Sequence, residues 1–133
     1  MRMLAAYAAS LVAFVALDFV WLSLMVERIY RPALGDLLAA KPRMGAAVVF
    51  YLAYAAGLVF LVVAPALKEA SLTRAGVGGL VLGAMAYATY DLTNQATLRT
   101  WSTKLTLVDI AWGAALTAVA AMIGYAVARL VAK

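Results

Sequence analysis

The chain contains no cysteine and no histidine. That excludes disulfides, thiolate and imidazole metal sites, attached haem and thiol nucleophiles. Charge is scarce as well: Asp, Glu, Lys and Arg make up 13% of the 133 residues, against 68% hydrophobic ones. This balance lies far outside that of soluble globular proteins and points to the lipid bilayer as solvent. Most of the charges cluster at intervals, leaving apolar segments at about 3–26, 44–67, 73–98 and 105–128, each near the ~20 residues that a spanning helix needs. The sequence therefore predicts an all-α fold: a single membrane domain over 1–133, arranged as an antiparallel bundle of four transmembrane helices with both ends of the chain on one side.

The first apolar run outlasts the ~7–15 residues of a secretory signal core and has no polar cleavage region before Glu27, so it reads as an uncleaved span. The net charge of +5 comes from Lys and Arg at segment ends, where they act as interfacial anchors and contacts for anionic lipid; nucleic acid is not an expected partner. Six of these cations (Arg28, Arg31, Lys41, Arg43, Arg99 and Lys104) fall on the side of the long first loop, and five (Arg2, Lys68, Arg74, Arg129 and Lys133) on the other. Positive-inside reasoning then leans toward cytoplasmic loops and periplasmic termini by one charge, a near balance that leaves dual topology open. Within that loop, Pro32 suits a first helical turn, and Leu34, Leu37 and Leu38 recur at helical spacing. A short interfacial helix is expected there.

The polar residues inside the apolar segments carry the functional signal. The third segment opens with Gly76, Gly79 and Gly83, a stripe that lets a neighbouring helix approach closely. It ends in the run Tyr87-Ala-Thr-Tyr90-Asp91-Leu-Thr-Asn94-Gln95. Asp18 with Trp21 lies in the first segment and Asp109 with Trp112 in the fourth, a repeated Asp-x-x-Trp too short to establish duplication. Counted from the nearest loop-side charge at 1.5 Å per residue, Asp18, Asp91 and Asp109 lie roughly 13, 12 and 8 Å deep in one leaflet. Tyr51, eight residues after Arg43, reaches a similar depth, with Tyr54 one turn on.

No Lys or Arg lies deep enough to neutralise these acids. Carboxyls facing lipid would be neutralised or would draw in water, whereas a shared interior pocket lets Tyr, Asn94 and indole N–H groups serve them. Three close acids cannot all ionise without a counter-charge. The candidate ligand-binding residues are accordingly Asp18, Trp21, Tyr51, Tyr54, Tyr87, Tyr90, Asp91, Asn94, Asp109 and Trp112. The bland alternative is polar glue that fixes helix register. Individual pairs of that kind contribute only ~0.6 kcal/mol on average, too little to account for the whole cluster.

The strings Tyr90-Asp-Leu-Thr-Asn94 and Asp109-Ile-Ala-Trp112-Gly113, together with Asp18/Trp21, Tyr30-Arg31, Leu34-Gly35 and Phe50-Tyr51, resemble an uncharacterised family of small bacterial four-span membrane proteins. The resemblance covers essentially the whole chain. It implies a bacterial inner-membrane location and brings no activity with it.

Three classes of function fit the residues. Acids without a basic partner suit the binding or transport of a proton, a cation or a protonatable small molecule, with aromatic rings adding cation–π contacts; transport through four helices calls for a homodimer. A membrane-embedded enzyme acting on a lipid or apolar small molecule would use Asp91 or Asp109 as acid or base, with Mg²⁺ as the metal if one is used, and no recognised catalytic motif supports it. An accessory subunit would use the glycine stripes to bind a partner, and would not need the buried acids.

Overall fold

The computed structural model describes residues 1–132; Lys133, counted above among the charges opposite the loop, lies outside them. The described residues form four long helices and no strand: α1 (Arg2–Leu37), α2 (Met44–Lys68), α3 (Leu72–Thr97) and α4 (Thr103–Val131). By length and composition α1, α2 and α4 can each cross a membrane. The glycines and the polar run keep α3 out of that group.

Two helices are locally widened. A π-helical turn over Val26–Tyr30 interrupts α1, and another over Val59–Val63 interrupts α2. Each ends two residues before a proline, Pro32 or Pro65. A proline inside a helix has no N–H for the fourth carbonyl back and its ring collides with that carbonyl, so the preceding turn opens to make room. The loop helix expected at Pro32 is therefore not separate. It is the continuation of α1 beyond its π turn, through Arg31–Leu34 and a final 3₁₀ turn at Gly35–Leu37.

The connections are short and capped. The Ser71 hydroxyl accepts from Arg74 N–H to start α3, and the Ser102 hydroxyl accepts from Leu105 N–H to start α4; such caps stabilise a helix by about 1 kcal/mol. Between α2 and α3 the chain turns through Ala70 at φ +51°, while Ser71 N–H returns to the Ala66 carbonyl. This is the usual left-handed helix ending, here without the usual glycine.

Helix α4 is the hub, with α1 on one side and α3 on the other, and α1 and α3 make little direct contact. Along α3, Gly76 faces Met122, Gly79 faces Ala118 and Gly83 faces Gly113 and Thr117, so the two chain directions oppose. Along α1, Ala6 and Ser10 face Gly124, Ser10 donates to the Ala120 carbonyl, and Asp18 meets Trp112, again in opposed directions. The apolar core gathers at the end away from the long loop, from Ala6, Phe14 and Ala75 with the inward faces of α2 from Leu58 to Leu67 and of α4 from Leu116 to Ala128.

What is buried is largely small or polar, and what is exposed is large and apolar. Ser10, Asp18, Asp91, Thr106, Asp109 and Thr117 are buried, while Phe19, Phe60, Val12 and Leu107 are each more than 60% exposed. Water would reverse that arrangement; hydrocarbon tails accept it, because helices in lipid gain from close backbone approach and from satisfied polar groups.

A methyl group at Gly83 would overlap the Gly113 carbonyl oxygen and lie 2.7 Å from Thr117 Oγ1, whereas one at Gly57 meets nothing within 4 Å. Gly83→Ala is expected to destabilise the protein by about 1–3 kcal/mol. Gly57→Ala should stay within ~0.5 kcal/mol of wild type. Unfolding in mixed micelles followed by circular dichroism checks both; equal effects would contradict the packing described.

Candidate functional site

At the loop end, where α1 and α3 diverge from α4, a cavity of about 320 Å³ is lined by Asp18, Leu22, Tyr30, Phe50, Ala86, Tyr87, Tyr90, Asp109 and Trp112. Every helix contributes. Two carboxyls face a wall made mainly of rings.

The two Asp-x-x-Trp motifs build its floor by crossing over. Because α1 and α4 run in opposite directions, Asp18 comes level with Trp112 and Asp109 level with Trp21. The indoles stack at 4.4 Å between centroids, with planes 7° apart. Trp112 Nε1 donates to Asp18 Oδ1 at 3.1 Å. Trp21 Nε1 donates to Tyr30 Oη at 3.0 Å, and Tyr30 in turn donates to Asp109 Oδ1 at 2.6 Å. Each tryptophan thus serves the other motif's acid, once directly and once through a phenol.

Tyr51 completes the Asp18 side, donating to Oδ2 at 2.6 Å, so both oxygens of that buried carboxylate are occupied. Short O–H···O⁻ bonds of this kind are the stronger ones. They let a carboxylate persist in a medium that would otherwise expel its charge.

Tyr30 reaches Asp109 because of the π turn. Nine residues separate it from Trp21, and at about 100° per residue a regular helix would set it on the opposite face. The wider turn brings the phenol back over the cavity. On α3, the Tyr87 ring lies flat against Gly113, where any side chain would overlap it. Tyr90 is 60% exposed and packs edge-on against Trp101 at 6.0 Å. With Phe50, 45% exposed, it forms the cavity's rim on the outer surface of the helices.

Of the candidate residues, Asp18, Tyr87, Tyr90, Asp109 and Trp112 line the cavity, while Trp21 and Tyr51 support it from behind. Three sit elsewhere. Tyr54 belongs to the apolar layer, sharing a 2.8 Å hydrogen bond with Thr117 and packing on Phe14 at 5.0 Å. Asn94 is half-buried one turn beyond Tyr90 and outside the lining. Asp91, 1% exposed, faces the α3–α4 interface beside Asp109, and neither of its oxygens has a hydrogen-bond partner.

Reasoning from sequence omitted Tyr30, Phe50, Leu22 and Ala86 from the site. Pro32, two residues after Tyr30, was the available signal, since a proline there disturbs the turn that aims the phenol.

A family model described as a predicted membrane protein family, DUF2177, matches residues 3–126. The chain belongs to that family. The match takes in both Asp-x-x-Trp motifs, Tyr30 and the whole polar run of α3, so the DUF2177 region contains every residue of the cavity. No curated protein and no solved structure matches the chain. DUF2177 membership thus agrees with the inside-out packing in assigning the protein to membranes, and the chemistry of the cavity has to be argued from its own residues.

Tyr30→Phe removes the donor to Asp109 and the acceptor of Trp21 together. A loss of about 1–3 kcal/mol is expected, with a change in tryptophan emission as the indole N–H loses its partner. Unchanged stability and emission would contradict the chain of bonds described.

Proposed function

We propose that this DUF2177 protein is a four-span antiparallel helix bundle of the bacterial inner membrane whose acidic, aromatic pocket binds a cation or a protonatable small molecule. The observation that carries the reading is a cavity bounded by Asp18 and Asp109, with Tyr30, Phe50, Tyr87, Tyr90 and Trp112 around them and no lysine or arginine in the lining. Two acids in so apolar a setting are one positive charge short of neutrality at the least. Protons or a bound cation supply it.

The walls favour an organic ammonium over a bare metal ion. Among the described residues no three of Asp, Glu, His or Cys come close enough to hold a metal, and the hydroxyls that face the carboxyls already donate to them. Ring faces, by contrast, attract a weakly hydrated cation with an apolar body, by about 0.5–2 kcal/mol per contact. The exposed rim of Phe50 and Tyr90 offers such a ligand a sideways path from the lipid. Asp109, with Oδ1 held by Tyr30 and its carboxyl beside that of Asp91, is the contact for the positive charge. Asp18, doubly bonded, is the fixed counter-charge.

Transport of that ligand would require a second copy of the chain and alternating access, so binding comes first. Protein in lipid nanodiscs titrated with benzyltrimethylammonium, sodium and magnesium, and followed by calorimetry and tryptophan emission, tests the reading. Saturable binding of the ammonium is expected, weakened at least about tenfold (~1.4 kcal/mol) by Asp109→Asn. No binding of any cation, or binding indifferent to Asp109, would overturn it; lipid turnover by the wild type would move the assignment to an enzyme.

A further inference from the structure

Outside the cavity, the α3–α4 interface contains a polar group for which the binding reading has no use. Asp91 is 1% exposed, and neither carboxyl oxygen meets a donor. One helical turn on, Gln95 donates Nε2 to Thr103 Oγ1 at 3.0 Å while its own buried Oε1 is left without a partner. Residues four apart share a face of a helix. Three acceptor oxygens are therefore gathered on one buried stripe with no hydrogen to share. The group facing Asp91 from α4 is another acid, Asp109, within hydrogen-bonding reach, so the two carboxyls can bond only if one of them holds a proton; on α3 Tyr90 is adjacent in sequence. Among the described residues, the ion pairs of Arg31 and Arg74 lie at exposed positions away from it.

An ionised carboxylate buried without any donor is among the most expensive arrangements a protein can hold, and a single proton removes the cost. We infer that Asp91 is a proton-binding site directly behind the ligand cavity, its acid O–H bonded to the Asp109 carboxylate, and that it releases its proton when a cation enters beside Asp109. The second half rests on the reading of the cavity given above; the first does not. With Asp91 protonated, its O–H donates to Asp109 and both acids share one negative charge. When the proton leaves, the Gln95 amide one turn on can turn over, so that Thr103 Oγ–H donates to Oε1 and Nε2 is freed toward the acidic stripe.

The coupling runs through Asp109. A positive charge arriving in the cavity stabilises ionisation of nearby carboxyls, and Asp91 is the one that still holds a proton with no competing donor. Its O–H bond breaks, the electron pair stays on the carboxylate, and the proton passes to water at the loop surface, where Thr103 is exposed. By linkage, cation affinity rises with pH through the range in which Asp91 titrates.

A quaternary ammonium separates the protein's proton from the ligand's, because benzyltrimethylammonium has none to give. Adding it to wild-type protein in weakly buffered nanodiscs should release up to about one proton per bound cation, read with a pH indicator. Asp91→Asn should bind the cation and release none. Infrared spectroscopy supplies the independent check: the free protein should show a carboxylic-acid carbonyl band that Asp91→Asn removes, that Asp18→Asn retains, and that cation binding diminishes in the wild type. If the wild type binds the cation, releases no proton and has a carbonyl band indifferent to Asp91→Asn, the inference is overturned and Asp91 is structural. If the wild type binds no cation, the cavity reading fails, and the infrared band alone decides whether Asp91 holds a proton: loss of the band in Asp91→Asn upholds the proton site, and its persistence overturns it.

Discussion

The stack of Trp21 on Trp112 is the contact on which the polar end of this protein depends. It joins α1 to α4 at the depth where both helices carry a carboxyl; Trp112 N–H reaches Asp18 on the opposite helix, while Trp21 N–H bonds Tyr30 of its own helix, whose hydroxyl crosses to Asp109. An aspartate in hydrocarbon is tolerable only with donors in place, and a donor three residues along its own helix would face a different direction. Crossing the motifs solves both problems, since opposed helices bring position i of one level with position i+3 of the other. Tyr51 then completes the shell of Asp18, and Tyr30 supplies the donor to Asp109 Oδ1.

The remainder of the fold serves to hold that crossing in place. Close approach of α3 to α4 through Gly79 and Gly83 leaves no room for side chains between them, so Tyr87 is laid flat on Gly113 and its ring becomes a wall. The apolar core at the other end contains mostly Ala and Val with Phe14 and Tyr125 as its bulk. Small residues inside and large apolar ones outside leave dispersion and polar bonding, in place of water exclusion, as the source of cohesion. In such an interior a cavity bordered by charge is a costly feature. Its presence at the meeting point of all four helices is the physical reason for reading it as a binding site.

Much of this arrangement was legible from residue types and spacing. The helical segments followed from the apolar runs; depth arithmetic put Asp18, Asp91 and Asp109 at one level, and of these Asp18 and Asp109 line the cavity while Asp91 lies beside Asp109 outside it. Periodicity could not supply the facing of each side chain. Tyr54, one turn from Tyr51, turns instead to Thr117 and the apolar layer. Asp91 points into the α3–α4 seam, with only Asp109 between it and the cavity. Tyr30 follows the charged pair Glu27-Arg28 that reads as the exit of the first span, so it falls in the loop by sequence; in the structure α1 continues past it, and the π turn before Pro32 changes the phase of every residue after it. Helical wheels assume 3.6 residues per turn; two of these four helices depart from it.

The crossed pairing is the claim most open to a direct test. A double-mutant cycle on Asp18→Leu and Trp112→Phe, with unfolding measured in the same lipid-detergent mixture, measures the coupling between the two motifs. A coupling free energy of at least ~0.6 kcal/mol is expected, the value typical of polar pairs between membrane helices. Effects that simply add, within about 0.3 kcal/mol, would contradict it.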